Sequence, residues 1–222
     1  MTRGLDLPKL AVLCDFDGTV TTIDTAEFVL ARFAKGDFQA FDKLFGKGRI
    51  TLEECLNKQF SMVKASKKEI MDELERRVVF RPNFRELAVT CKTHEVPLMI
   101  VSAGLDFVIE HFLRLNDCLN LVKVCSPNAK FSPDGISFTF PKTQDQSSIN
   151  FKQDIVRHRK SQGMNVIFVG DGLADFPAAK DADEVFAIKD SRLSKLCKKT
   201  GIKCKEIIDF REVTNTVTRI NS

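Results

Sequence analysis

The feature that most constrains the fold is an apolar segment that ends in two aspartates. Leu10–Cys14 is apolar throughout, and Asp15 and Asp17 follow it with only Phe16 between them. An unbroken apolar run of this length is typical of a strand buried on both faces of a parallel sheet. Because side chains alternate along an extended chain, Asp15 and Asp17 point the same way, and their charges repel unless a cation or a shared proton relieves them. A divalent metal ion together with a phosphate ester is one chemistry that requires such a pair.

The composition fits one domain of ordinary size with a smaller insertion. The chain has 222 residues, of which 43% are hydrophobic, and this is enough to bury a sizeable core. No apolar run approaches the ~20 residues of a membrane-spanning helix. Residues 1–8 lack the apolar core of a signal peptide. Seven cysteines without a CxxC pair, in a chain without an export signal, predict reduced thiols and a cytoplasmic location.

The charge pattern does not favour a nucleic-acid partner. The formal net charge is only +4, although basic residues are frequent between positions 189 and 205. They are spread along that segment without interleaved aromatic residues, which is typical of a solvated helix face. We therefore expect neither a nucleic-acid nor a membrane partner.

Alternating strand and helix patterns predict an α/β fold with a Rossmann-like parallel sheet as its core. Apolar runs predict four strands, at residues 9–15, 98–102, 166–170 and 184–188. The first three end in small or acidic residues. Ligands of open α/β sheets bind beyond the carboxyl ends of the strands, so these three ends are expected to meet at one site.

A helix-rich segment separates the first two predicted strands. Two pairs of residues within it match the capping box that begins a helix: Thr51 with Glu54, and Ser66 with Glu69. The segment is too long for a single crossover helix, which predicts a small inserted helical cap domain at residues 23–80 and a core of residues 1–22 and 81–222. Later in the chain, Pro133-Asp134-Gly135 lies between alternating apolar and polar residues and predicts a β-hairpin at residues 131–140.

Four segments, in order along the chain, resemble the signature motifs of the haloacid dehalogenase superfamily. They are Asp15-Phe16-Asp17-Gly18-Thr19-Val20, Ser102, Lys152 near the start of a predicted helix, and Gly170-Asp171-Gly172-Leu173-Ala174-Asp175. The insertion between the first two motifs resembles the small cap of the phosphoserine phosphatase branch. Residues 14–21 and 101–107 are more similar still to the methionine-salvage phosphatases that hydrolyse hydroxy-keto-methylthiopentenyl phosphate.

The resemblance implies a phosphomonoesterase that works through an aspartyl-phosphate. Asp15 would be the nucleophile, and Asp17 would be the general acid and then the general base. Ser102 and Lys152 would bind the phosphate, with Lys142 as the alternative lysine. The implied cofactor is Mg²⁺, which prefers hard oxygen ligands. Its implied ligands are Asp15, the backbone carbonyl of Asp17 and Asp171. Asp175 would hold Lys152 or a metal-bound water in place.

The implied substrate is a small phosphorylated metabolite. Four residues would offer it backbone amides or a hydroxyl: Gly18, Thr19, Ala103 and Gly104. Asp24, Phe28 and Gln59 in the cap would decide which metabolite binds. Phosphoserine phosphatases carry a glutamate near the position of Asp24 and an arginine near that of Gln59, so the missing arginine argues against a free amino-acid carboxylate.

Three other functions stay open at this point. They are a phosphoserine phosphatase, a phosphomutase of the same superfamily and a non-catalytic phosphate-binding module. The acids at positions 15, 17, 171 and 175 argue against the binding module, because a retired site has no reason to keep buried charge. The Phe-rich cap is also a surface on which a homodimer could form.

Overall fold

Six strands form one parallel sheet, and its central strand leads into the two aspartates. The structure, a computed structural model, describes residues 9–220. The strands are β1 (Leu10–Cys14), β2 (Leu98–Val101), β3 (Lys123–Cys125), β4 (Asn128–Ser132), β5 (Gly135–Thr139), β6 (Asn165–Gly170), β7 (Glu184–Ile188) and β8 (Lys205–Ile207). β4 and β5 pair with each other, and the other six form the sheet in the order β3-β2-β1-β6-β7-β8. The predicted α/β fold is confirmed, whereas the prediction about residues 1–8 lies outside the described residues.

The order of the strands reverses at β1. Val12 in β1 lies opposite Leu98 of β2 on one side and opposite Ile167 of β6 on the other. From β1 the chain adds β2 and β3 to one side of the sheet, and it later adds β6, β7 and β8 to the other side. Such a reversal opens a crevice at the carboxyl ends of the strands, where open α/β sheets bind their ligands.

Helices cover both faces of the sheet. They are α1 (Thr25–Phe33), α2 (Gln39–Gly46), α3 (Leu52–Phe60), α4 (Lys67–Leu74), α5 (Phe84–Thr93), α6 (Asp106–Leu115), α7 (Phe151–Ser161), α8 (Phe176–Asp181), α9 (Arg192–Thr200) and α10 (Arg211–Ile220). Val12 of β1 belongs to the hydrophobic core shared with α5, α6 and α10, whereas Leu13 belongs to the core shared with α7, α8 and α9. The alternation along β1 therefore builds two cores, one on each face.

The insertion after β1 consists of helices α1 to α4, and both predicted capping boxes are present in it. Thr51 accepts a hydrogen bond from the amide of Glu54 and Ser66 accepts one from the amide of Glu69, while each glutamate accepts one in return. The two ends of the insertion meet where Thr21 and Phe80 form an antiparallel bridge. This arrangement fits a cap at residues 23–80, and the exact domain boundaries stay a prediction.

The predicted hairpin is confirmed, but it packs on the cap. β4 and β5 pair around a turn at Gly135, whose φ is +111°. The amide of Phe138 in β5 donates to Oδ1 of Asn57 in α3 at 2.8 Å, and the Phe138 ring meets the Phe60 ring edge-on at 5.0 Å between centroids. A segment predicted as part of the core domain thus contacts the cap directly.

The sequence pattern does not predict the two outermost strands of the sheet. β3 and β8 have three residues each, and the exposed Lys123 and Lys205 interrupt their apolar pattern. Strands this short at the edge of a sheet leave little periodic signal. Between positions 9 and 220, no helix is both long enough and apolar enough to cross a membrane.

Candidate active site

A cavity of about 320 Å³ lies at the carboxyl ends of the central strands, between the core and the cap. Asp15 follows β1, Ser102 follows β2 and Asp171 follows β6, and all three line the cavity. The predicted convergence of these three strand ends is therefore present. Asp17, Lys152 and the other core residues of the cavity lie around them, and the opposite wall comes from the cap.

Lys152 is buried between two carboxylates. Its Nζ lies 2.7 Å from Oδ1 of Asp15 and 2.6 Å from Oδ1 of Asp175, and only 2% of the side chain is exposed. Burial opposes the charged form of Lys152, but the two carboxylates outweigh it and hold the pKa above its ordinary value. Asn150 caps α7 and donates to the carbonyl of Ala174, which fixes the helix turn that carries Lys152. Lys142, the alternative, is exposed outside the cavity.

Asp17 has different partners from Asp15. Its Oδ1 accepts hydrogen bonds from the amide of Thr25 at 3.1 Å and from the hydroxyl of Thr25, and its Oδ2 accepts one from Ser102 at 3.2 Å. Burial raises the pKa of Asp17, although the hydrogen bonds from Thr25 oppose the shift. The two aspartates are thus distinguished by environment, with an ammonium beside Asp15 and hydroxyl groups beside Asp17.

Three carboxylates form the cluster that fits a metal ion. Asp15, Asp171 and Asp175 each offer an oxygen, and these oxygens lie within 4.8 Å of one another. Burial and the charge of Asp175 raise the pKa of Asp171 to about 7, and burial also raises the pKa of Asp15. An all-oxygen donor set with unrelieved negative charge fits Mg²⁺. The carboxylate of Asp17 is not part of this cluster, which is consistent with the predicted metal contact of Asp17 through its backbone carbonyl.

Asp175 supports the other members of the cluster. Its Oδ1 accepts from Lys152, and its Oδ2 accepts from the amides of Asp171 at 3.0 Å and Gly172 at 2.8 Å. Asp175 is fully buried, so its oxygens are largely occupied by protein donors. It therefore orients Lys152 and the Asp171 loop.

Gly18, Thr19 and Gly104 use their donors within the protein. The amide of Gly18 donates to the carbonyl of Ile23 at 3.0 Å, the hydroxyl of Thr19 to Asp171 at 2.9 Å and the amide of Gly104 to Ser102 at 3.0 Å. Gly18 and Thr19 also lie outside the cavity lining, whereas Ala103 and Gly104 are part of it. In this structure Gly18 and Thr19 hold the turn and Asp171, and their predicted donation to a substrate stays a prediction.

Two predicted substrate contacts in the cap are not brought to the cavity. Gln59 is buried, and its side-chain amide donates to the carbonyl of Phe38 at 3.1 Å and to Asp42 at 2.9 Å, so it ties α3 to α2. Phe28 lies outside the cavity lining, and the Arg77 guanidinium covers its ring at 5.0 Å. Neither residue lines the cavity in this structure, and their predicted role in substrate binding gains no support from it. Asp24 does line the cavity, and it also caps α1.

Sequence reasoning missed most of the cap wall. Apolar side chains line the cavity from α2 and α3 of the cap and from the core loop before α8, and they are joined by Asp42 of the cap and by Arg192 of α9 in the core. The apolar members are Phe45, Leu52, Cys55, Leu56 and Leu173. The capping box at Thr51 sets the start of α3, but which face of α3 turns to the core depends on packing that no local pattern encodes.

Residues 12–180 match the family profile described as haloacid dehalogenase-like hydrolase. The chain therefore belongs to the haloacid dehalogenase-like hydrolases. Over 218 residues it is 31% identical to the 2-hydroxy-3-keto-5-methylthiopentenyl-1-phosphate phosphatase of Geobacillus kaustophilus, which covers 96% of this chain and 97% of that protein. The protein of the same name from Exiguobacterium sibiricum is 29% identical over 212 residues, covering 93% of this chain and 95% of its own length.

The fold agrees with this assignment. A solved phosphoserine phosphatase with a phospho-aspartyl intermediate analogue superposes with a TM-score of 0.69 at 21% identity, covering 94% of this chain and 98% of that one. At this identity the likeness shows a shared fold. Family membership and the phosphatase relatives confirm the predicted enzyme class, a phosphatase of this superfamily.

The raised pKa of Asp171 predicts how pH affects the metal-free protein. A carboxyl whose pKa is about 7 when folded and near 3.8 when unfolded stabilises the fold fully below pH 4, and this stabilisation is lost as the pH rises through 7. The melting temperature in EDTA should therefore fall between pH 5 and pH 8. Mg²⁺ should raise it more at pH 8 than at pH 5, because ligands bind metal in their deprotonated form.

The matched variant is Asp171→Asn, which cannot titrate. Its melting temperature in EDTA should change less between pH 5 and pH 8 than that of the unmutated protein, measured by circular dichroism. A melting temperature that rises with pH in the metal-free protein would contradict the prediction.

Proposed function

We propose that this protein is a Mg²⁺-dependent phosphomonoesterase that hydrolyses a small phosphorylated metabolite through an aspartyl-phosphate on Asp15. The observation that carries the proposal is the unequal pairing of the two aspartates. Asp15 lies against the buried ammonium of Lys152 at 2.7 Å, whereas Asp17 accepts hydrogen bonds from the hydroxyl of Thr25 in the cap and from the hydroxyl of Ser102 in the core. The ammonium of Lys152 opposes the rise in the pKa of Asp15 that burial and the charge of Asp175 cause, and so favours the anionic nucleophile, whereas Asp17 is held by hydroxyl groups and is suited to exchange a proton.

The first half-reaction uses both aspartates. A carboxylate oxygen of Asp15 forms a bond to phosphorus, and the bond from phosphorus to the leaving oxygen breaks. Asp17 gives its proton to that leaving oxygen. Burial raises the pKa of Asp17, which favours the protonated form that this role requires. In the second half-reaction, Asp17 takes a proton from the attacking water, and the bond between Asp15 and phosphorus breaks.

The phosphate requires compensating positive charge and hydrogen-bond donors. Lys152 faces the cavity beside Asp15, and the hydroxyl of Ser102 lies nearby. Asp15, Asp171 and the backbone carbonyl of Asp17 would hold Mg²⁺, which supplies charge neutralisation when bound. Positioning and electrostatics of this kind carry most of the catalysis of phosphoryl transfer.

The substrate we propose is 2-hydroxy-3-keto-5-methylthiopentenyl-1-phosphate. The relatives named for this substrate align over almost the whole chain. The cap wall also fits it, because Phe45, Leu52 and Leu56 offer apolar surface to an uncharged tail that ends in a thioether. Asp24 and Asp42 at the same cavity disfavour a leaving group that carries a carboxylate.

Phosphoserine phosphatase is the second candidate because of Arg192. This arginine, from the first turn of α9, lines the cavity and is exposed. Its guanidinium has the geometry to pair with a carboxylate, which phosphoserine possesses. The two candidates share the phosphate chemistry and differ only in the leaving group.

The nucleophile is tested with Asp15→Asn. We expect it to lower the hydrolysis of an aryl phosphate at least about a thousandfold, because the amide cannot form the phospho-enzyme. EDTA should abolish turnover by the unmutated protein, and added Mg²⁺ should restore it. The control is Asp134→Asn in the exposed hairpin turn, which should keep full activity. Substantial turnover by Asp15→Asn, or in EDTA, would refute the mechanism.

The phosphate-binding lysine is tested by comparing Lys152→Met with Lys142→Met. The first removes the ammonium beside Asp15 and should lower kcat/KM for an aryl phosphate by about a hundredfold or more. The second changes an exposed residue and should have less than about a twofold effect, in line with surface substitutions generally. A larger loss in Lys142→Met would show that the lysines have been assigned the wrong way round.

The leaving group is tested with a panel of phosphorylated metabolites. We expect kcat/KM for 2-hydroxy-3-keto-5-methylthiopentenyl-1-phosphate to exceed that for phosphoserine by about a hundredfold or more, because the apolar wall leaves a charged leaving group poorly paired. The reverse order would favour phosphoserine phosphatase. Release of a phosphorylated product in place of inorganic phosphate would indicate a phosphomutase.

A further inference from the structure

The guanidinium of Arg81 holds the turn that follows the two aspartates. Its Nε donates to the carbonyl of Thr19 and its Nη2 donates to the carbonyl of Gly18, each at 2.8 Å. Nη1 reaches the carbonyl of Ile208 at 3.3 Å, in the loop after β8. A planar guanidinium offers five donors in a fixed arrangement, so one side chain fixes two consecutive peptide carbonyls relative to the end of the sheet.

The same turn is in direct contact with Asp171. The hydroxyl of Thr19 donates to Oδ1 of Asp171 at 2.9 Å. The backbone of Gly18, with a φ of +70°, approaches so closely that a Cβ placed there would lie 2.5 Å from Oδ2 of Asp171. One oxygen of this carboxylate is therefore held by a hydrogen bond from the turn, and the other lies so close to residue 18 that only glycine leaves room for it.

Arg81 remains a cation in this setting. The ion pairs found within residues 9–220 include none with Arg81, and its hydrogen-bond acceptors there are three neutral carbonyls. Burial lowers the pKa of Arg81, and the charge of Asp171 opposes that shift. Arg81 does not line the cavity, so its guanidinium holds the turn without occupying the place of a ligand.

Arg81 also marks the exit from the cap. Its amide donates to the carbonyl of Val20 at 2.7 Å, immediately beyond the bridge between Thr21 and Phe80. The residue that fixes the turn is therefore the first residue of the chain after the cap. The side chain of Arg81 therefore fixes the position of the turn, and its backbone amide fixes the path of the chain out of the cap.

We propose that Arg81 is a positioning residue for the divalent-metal site, holding the carboxylate of Asp171 in place through the Gly18–Thr19 turn. The proposal rests on the metal-dependent function proposed above and adds a residue to it. Groups that orient a metal ligand from behind typically change metal affinity by 10- to 100-fold when removed. The contact with Asp171 runs through Thr19, so the effects of Arg81 and Thr19 should depend on each other.

The test measures metal binding without substrate. Mn²⁺ is titrated into metal-free protein, and free Mn²⁺ is followed by electron paramagnetic resonance. Arg81→Met keeps the apolar stem and removes the donors, and we expect it to weaken binding about 10-fold or more. The control is Arg211→Met, which removes an exposed guanidinium bound to Asp209 and should stay within about twofold of the unmutated protein.

A double-variant cycle tests the path through the turn. Thr19→Val removes the hydroxyl that donates to Asp171 and should weaken Mn²⁺ binding to a similar degree. In the variant carrying both changes, the loss should be close to the larger single loss and well below the product of the two. Losses that multiply would overturn the proposed path, and unchanged affinity in folded Arg81→Met would overturn the role of Arg81.

Folding is checked by circular dichroism for every variant. If Arg81→Met does not fold, Arg81→Lys takes its place in the cycle, since one ammonium keeps the charge but cannot hold both carbonyls. An intermediate loss of Mn²⁺ affinity is expected for Arg81→Lys, and affinity equal to that of the unmutated protein would overturn the proposal. A protein that binds Mn²⁺ as expected yet hydrolyses no phosphate ester would refute the proposed function alone.

Discussion

The ammonium group of Lys152, buried between Asp15 and Asp175, is the interaction on which the rest of the site depends. Carboxylates taken out of water cost several kcal/mol each unless they are paired. The Nζ of Lys152 lies 2.7 Å from Oδ1 of Asp15 and 2.6 Å from Oδ1 of Asp175, and this pairing offsets part of the desolvation free energy of both carboxylates. Among residues 9–220 no ion pair neutralises Asp171, and the negative charge that remains in the carboxylate cluster makes a divalent ion fit the cavity beside a phosphate.

The sheet topology makes this pairing possible. Lys152 lies more than a hundred residues after Asp15, and the two meet because β1 is flanked by β2 and β6 at the point where the strand order reverses. β6 then delivers Asp171 and Asp175 to the same edge of the sheet. Each charged group is placed by a strand end or a first helical turn, and these are the parts of the fold that packing holds most rigidly.

The parts of the site that follow strand ends were predictable from the sequence, because an apolar run that stops at a polar residue is a local signal. Asp15, Ser102 and Asp171 belong to this group. Gln59 and Phe28 do not, because a helical repeat tells which residues share a face but leaves open which face turns towards the core. The role of Arg81 was also not predictable from the sequence. Its role arises from contacts with Gly18 and Thr19, about sixty residues earlier in the chain, and no spacing rule describes them.

The cap is joined to the core by more than its two chain connections. A row of aromatic rings runs from the cap through the hairpin to α7, with centroid distances of 5.0 Å from Phe60 to Phe138, 5.9 Å from Phe138 to Phe140 and 6.2 Å from Phe140 to Phe151. Phe151 directly precedes Lys152 in the chain. Close-packed side chains resist independent movement. Continuous packing therefore connects the cap to the helix turn that carries Lys152. A shift of the cap relative to the core would disturb this packing and with it the position of the ammonium beside Asp15.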